Sequence, residues 1–128
     1  MVDTPGPLAR NLYEFYQARK WAAAADLLRP EAELEMPATG EHLSGRDQII
    51  EFQENYPEPW GDLSVLRVVG DASTAAVEFE IDGPMGLFRC AAFWVADQGK
   101  LARGVEYWVT VGGEQPPPRP GSPDRTSD

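Results

Sequence analysis

The sequence predicts an α+β domain in which helices pack on one face of a curved, mainly antiparallel sheet. Three observations carry that expectation. Apolar residues at helical spacing are confined to short segments in the first half of the chain, strict two-residue alternation begins at Glu31, and four alternating runs separated by turn residues fill Leu63 to Val111.

Pro5-Gly6-Pro7 leads into a first helix, with Leu8, Leu12, Phe15 and Tyr16 on one face and Arg10, Glu14 and Gln17 on its polar side. Trp21 to Leu28 is rich in strong helix formers and reads as a second helix, halted at Arg29-Pro30 because proline cannot continue it. Glu31 to Met36 sets Ala32, Leu34 and Met36 against Glu31, Glu33 and Glu35, a strand with one wet face. Pro37 to Leu43 reads as a loop. Ser44-Gly45-Arg46-Asp47 then resembles a capping box, Ser44 capping the first amides and Asp47 reaching back, for a third helix that buries Ile49, Ile50 and Phe52. Tyr56-Pro57-Glu58-Pro59 stops it. Four strands follow, Leu63 to Val69, Thr74 to Asp82, Leu87 to Ala96 and Leu101 to Val111, joined largely as a meander with turns at Asp71-Ala72-Ser73 and Asp97-Gln98-Gly99-Lys100.

A chain of 128 residues has room for one core, and the expected domain is 1–111. Residues 112–128 hold five prolines and three glycines in 17 positions without apolar periodicity, and are expected to form a disordered tail. Its Pro-Pro-Pro-Arg-Pro stretch has the composition of a polyproline helix.

A formal charge of −10 with no basic stripe argues against nucleic acid and against anionic membrane surfaces. No segment approaches about 18 uninterrupted apolar residues, and the first residues lack a basic region followed by an apolar core, so a soluble cytoplasmic protein is expected. Nine arginines against two lysines point to a bacterial source of high GC content. The single Cys90, in Arg89-Cys90-Ala91-Ala92-Phe93, reads as a small buried hydrophobe and excludes an internal disulfide. One histidine and one cysteine cannot supply the usual zinc ligand set, and no glycine-rich phosphate loop is present; no metal or organic cofactor is expected.

One carboxylate stands apart from this pattern of solvated charge. In Gly104-Val105-Glu106-Tyr107-Trp108-Val109-Thr110, alternation places Val105, Tyr107 and Val109 on one face and Glu106 with Trp108 on the other. An acid sharing its face with a large aromatic is a pocket candidate, since burial raises a carboxyl's pKa and lets it work as acid or base near neutrality. Pairing with Arg89 or Arg103 is the structural alternative. Glu78, Glu80 and Asp82 alternate with Val77, Phe79 and Ile81, as the wet face of a half-exposed strand does.

Taken together, the order of elements across roughly residues 7 to 111 resembles the nuclear transport factor 2-like superfamily, in its SnoaL-like, polyketide cyclase-like branch. The local echoes are Leu27-Leu28 before Glu31-Ala32-Glu33-Leu34-Glu35-Met36-Pro37, then Gly45-Arg46-Asp47-Gln48-Ile49, then Glu106-Tyr107-Trp108. The resemblance implies a cone of three helices and a strongly curved sheet enclosing an apolar pocket, in homodimers that pair sheet to sheet. Fold likeness alone does not assign a reaction.

The activities known in the superfamily fit this chain unequally. Ketosteroid isomerases carry their proton-shuttling aspartate just before the proline that ends the first strand, where this chain has Met36; Leu12 takes the place of their oxyanion tyrosine, with Tyr13 one residue away and expected to point elsewhere. Matching to limonene epoxide hydrolase-like enzymes puts Glu80 and Asp82 on the middle strand and Glu106 on the closing one, with Arg89 as the nearest substitute for a missing arginine. A SnoaL-like aldol cyclase would need a deep acid or base in an aromatic pocket. The resulting expectation is a small apolar or aromatic ligand and cofactor-free acid–base chemistry of the cyclase, isomerase, dehydratase or epoxide hydrolase type. Its catalytic candidates are Glu106, Asp82, Glu80 and, at the pocket mouth, His42. Trp60, Phe88, Arg89, Trp94, Trp108 and Tyr16 are the expected ligand contacts. A non-catalytic ligand-binding or dimerisation module is the alternative.

Overall fold

In the computed structural model, which describes residues 4–56 and 61–114, three helices pack against one six-stranded sheet. The helices are α1 (Pro5–Ala18), α2 (Trp21–Ala25) and α3 (Arg46–Glu54), and the strands β1 (Leu28–Met36), β2 (Glu41–Ser44), β3 (Asp62–Gly70), β4 (Thr74–Gly83), β5 (Gly86–Asp97) and β6 (Lys100–Thr110). The order across the sheet is β2-β1-β6-β5-β4-β3. Every pairing is antiparallel except β1 with β6, so the sheet is mixed, and it is unclosed, with β2 and β3 as its edges. The Pro/Gly-rich segment expected to be disordered lies, from residue 115 onward, outside the described residues.

Helix α1 buries two adjacent rows, Leu8, Leu12 and Tyr16 beside Ala9 and Tyr13, a broader stripe than the single row read from the sequence. Phe15, counted with that row, is only half-buried. Gln17, on the expected polar side, pins the helix to β3: its Oε1 accepts from the Leu63 amide at 2.6 Å.

The second helix is shorter than expected. It ends at Ala25, and Leu28 already belongs to β1, because the Leu101 amide donates to the Leu27 carbonyl at 2.8 Å and recruits the segment to the sheet. Helix propensity over Leu27-Leu28 is overridden by strand pairing. Pro30 falls inside β1, in the irregularity between the Leu28 and Glu33 pairings with β6, where a missing amide breaks no ladder bond.

The expected loop before α3 contains a short strand, β2, paired with β1 from Glu33↔Ser44 to Met36↔Glu41. The capping box is also displaced by one residue. Gly45 is the N-cap, with no side-chain cap, and the reaching-back side chain is Gln48, whose Oε1 accepts from the Ser44 amide at 2.6 Å. Asp47 is exposed instead. The four C-terminal strands match the expected meander to within a residue or two, and Gln98 and Gly99, both at positive φ, make the tight β5–β6 turn.

The sheet has two different faces. Ala75, Val77, Phe79 and Ile81 of β4, Cys90, Ala92 and Trp94 of β5, and Ala32, Leu34 and Met36 of β1 are buried against the helices. Burial of each large apolar side chain here contributes about 1.5–3 kcal/mol. The opposite, outer face carries Glu78, Glu80, Asp82 and Arg89, together with the exposed Phe93, Tyr107 and Val109.

Candidate functional site

Glu106 projects from the middle of β6 to the helix side and is 1% exposed, the one buried charged residue among those described. Its carboxylate is held at both oxygens. Tyr13 of α1 donates its hydroxyl to Oε2 at 2.7 Å, and Trp108, two residues along the strand, donates Nε1–H to Oε1 at 3.0 Å. Tyr13 is fixed in turn by Trp94 of β5, whose Nε1–H donates to the phenol oxygen at 2.9 Å. The result is an ordered relay from Trp94 through Tyr13 to Glu106.

Aromatic rings surround the relay. Phe79 lies 4.2 Å from Tyr13, centroid to centroid, and meets Trp108 edge-on at 5.3 Å; Tyr16 meets Tyr13 edge-on at 5.6 Å. Trp94 has its position because Gly104 stands opposite it in the β5–β6 register. A Cβ on Gly104 would come within 2.6 Å of the indole, so only glycine admits that ring.

Desolvation pushes the Glu106 pKa above the ordinary carboxylate value, and the hydrogen bonds from Tyr13 and Trp108 pull part of the way back. Burial, reinforced by the Glu106 charge, holds the Tyr13 and Tyr16 phenols well above theirs. The Cys90 thiol is raised by the same two causes and is no nucleophile. The Tyr16 hydroxyl is buried with no hydrogen-bond partner.

Glu106 and Trp108 open onto a cavity of about 670 Å³ between α3, the β1–β2 connection and the ends of β4, β5 and β6. Met36, Phe52, Tyr56, Ile81, Met85 and Phe88 give it an apolar lining. That volume suits a small organic ligand. A larger depression, about 830 Å³, lies across the outer face and includes Glu33, His42, Phe93 and Arg103; no buried acid or base among the described residues reaches it.

The residues expected to form one site are thus divided by the sheet. Glu106, Trp108 and Phe88 share the cavity, and Trp94 and Tyr16 stand in the aromatic shell behind it. Asp82, Glu80 and Arg89 do not join them: Glu80 and Arg89 pair with each other on the outer face, Arg89 Nε lying 3.1 Å from Glu80 Oε2, and Asp82 is exposed beside them. Strand periodicity forces this, since Ile81 and Phe79 take the inward positions. His42 also sits away from the cavity, exposed on β2 with Nε2 3.0 Å from Glu33 Oε1. Trp60 lies outside the described residues. Tyr13, expected to point elsewhere, is the residue the sequence reading missed; the signal was the second apolar row Ala9-Tyr13 beside Leu8-Leu12-Tyr16. Met36, at the place of the isomerase aspartate, does line the cavity. No three His, Cys, Asp or Glu side chains among the described residues converge as metal ligands.

Residues 9–104 match the SnoaL-like domain pattern. The chain belongs to the SnoaL-like family. This SnoaL-like domain is similar in structure to a provisionally assigned ketosteroid isomerase from Kribbella flavida, at 28% identity and a TM-score of 0.84, covering 96% of this chain and 90% of that one. A Catenulispora acidiphila protein with a ketosteroid isomerase-like fold, solved in complex with trimethylamine, aligns at TM-score 0.68 and 12% identity over 81% of this chain and 86% of that one. A limonene epoxide hydrolase-like epoxide hydrolase from Mycobacterium tuberculosis aligns at TM-score 0.69 and 11% identity over 81% of each chain. The last two likenesses speak for the SnoaL-like fold alone. No curated protein matches the chain. No helix among the described residues is long and apolar enough to cross a membrane.

Proposed function

We propose that this domain binds a small apolar or aromatic metabolite in the 670 Å³ cavity and carries out cofactor-free acid–base chemistry on it, with Glu106 as the proton-transfer group. The observation that carries the reading is a fully buried carboxyl at the inner wall of an apolar cavity, bonded by two neutral donors and paired with no cation among the described residues. In the protonated form Glu106 delivers a proton to a developing oxyanion or leaving group. In the ionised form, whose charge the hydrogen bonds from Tyr13 and Trp108 stabilise, it removes one and becomes neutral. Tyr13, braced by Trp94, keeps the carboxylate oriented between the two steps.

A homodimer through the outer face, in a bacterial cytoplasm, completes the proposal. It is supported by the exposure of Phe93, Tyr107 and Val109 in the middle of a sheet face, where water would otherwise cover them.

A second reading, ligand binding without turnover, is favoured by Met36: among the described lining residues the cavity has no inner acid besides Glu106 to share a proton transfer. The two separate in deuterium oxide. Cyclic ketones, epoxides and aromatic polyketide analogues that raise the melting temperature are followed by NMR for conversion or for exchange of an acidic C–H into the solvent pool. Exchange by wild type that Glu106→Gln abolishes supports catalysis; binding with no exchange, or equal exchange by the variant, removes Glu106 from the mechanism.

A further inference from the structure

The chemistry of the cavity wall narrows the ligand class further, on the reading that this cavity is the binding site. Glu106 lines its inner end, while Glu41 and Glu51, both exposed, line the part toward solvent. Among its described lining residues there is no Lys, Arg or His. The arginines of the sheet are engaged elsewhere: Arg29 is paired with Glu31, Arg67 with Glu78 and Arg89 with Glu80, the last two pairs on the outer face, and Arg103 borders the outer depression.

A ligand carboxylate or phosphate would therefore enter a field of one sign and leave its charge unpaired. A neutral ligand would meet the apolar wall but leave the negative charge of Glu41 and Glu51 without a counterpart. A cation is served twice. The Glu106 carboxylate has accepted one hydrogen bond at each oxygen, and a carboxylate offers about four lone-pair sites, so acceptor capacity remains for an N–H donor. The rings of Trp108, Phe88, Phe52 and Tyr56 line the same space and present faces or edges to whatever fills it. An ammonium among aromatic rings gains cation–π attraction that strengthens as water is excluded.

We propose that the cavity takes a protonated organic amine, its ammonium against Glu106 and its apolar body against Trp108 and Phe88. Glu41 and Glu51 give the approach a negative potential that concentrates cations and turns anions away.

The experiment compares three probes of nearly equal shape by calorimetry on the wild-type protein at neutral pH: N,N-dimethylbenzylamine, its uncharged carbon analogue isobutylbenzene, and the anion phenylacetate. The expected order is amine first by at least tenfold, hydrocarbon second, anion undetectable. Glu106→Gln lowers amine affinity by tenfold or more and leaves the hydrocarbon unchanged. Glu41→Gln with Glu51→Gln, two exposed changes that do not threaten folding, weaken the amine about twofold at low salt and less at high salt. Hydrocarbon binding as tight as the amine, or anion binding at all, overturns the amine proposal and leaves the cavity as the binding site. No binding by any of the three overturns both.

Discussion

The phenol of Tyr13 and the carboxylate of Glu106 meet at 2.7 Å across 93 positions of sequence, both 1% exposed. A helix near one end of the domain and the last strand are thereby joined by a single buried hydrogen bond. A bond to an ionised carboxylate is charge-assisted and stronger than one between neutral groups. Its strength thus follows the protonation of Glu106.

Stability should depend on that protonation in a defined direction. Desolvation raises the folded-state pKa of Glu106 above its unfolded value, so the native state binds the proton more tightly. The group's favourable contribution is full below the unfolded pKa and is lost as pH rises through the folded one, by about 1.4 kcal/mol for each unit between them. Urea unfolding from about pH 4 to 8 should show this decline in wild type and a flatter curve in Glu106→Gln. A curve that steepens in the variant would contradict the buried-acid assignment.

Tyr13→Phe keeps the ring against Phe79 and removes both the donor to Glu106 and the acceptor for Trp94. Leaving the Trp94 N–H buried without a partner costs about 1–3 kcal/mol. The Glu106 pKa should rise further, because the Tyr13 hydrogen bond is one of the two influences that lower it. A carboxyl NMR titration of wild type and variant reads that shift directly.

Gly104→Ala places a methyl into the Trp94 indole. The expected cost is about 1–3 kcal/mol of overpacking, with altered tryptophan near-ultraviolet dichroism as the ring is displaced from Tyr13. Trp94→Phe should suffer less from the same alanine, so the double mutant should be more stable than the sum of the single changes predicts.

The outer face offers the converse test. Glu80→Gln and Asp82→Asn should leave cavity binding unchanged, and the solvent-screened Glu80–Arg89 pair should contribute little to stability. Phe93→Asp should turn the proposed dimer into monomers by sedimentation while the cavity keeps its affinity. Loss of affinity in Glu80→Gln would return that strand's carboxylates to the mechanism.

What the sequence disclosed followed from periodicity. Alternation around Glu106 and Trp108 placed both on one face, and the wet rows Glu31-Glu33-Glu35 and Glu78-Glu80-Asp82 were readable by the same rule. Carrying Glu80 and Asp82 into the site set family matching against alternation, and alternation won. Tyr13 was hidden because helical spacing marks a stripe, not its width, and because its partner lies 93 residues away. β2 was hidden because a strand of 4 residues is too short to show a period. The end of α2 was misplaced because Leu27 and Leu28 are good helix formers whose strand partner, Leu101, is remote in sequence.

β6 follows every other described strand in the chain yet lies between β1 and β5. A ribosome releasing this domain exposes α1, with Tyr13, and the edges of β1 and β5 well before the segment that joins them. Until Gly104 to Trp108 has emerged, those two strands each present an unpaired ladder, and the relay has no acid at its end. Such late, non-local closure slows folding and leaves nascent chains open to pairing with one another. Synthesis slowed just upstream of β6 should therefore reduce soluble yield more than the same delay placed within β3.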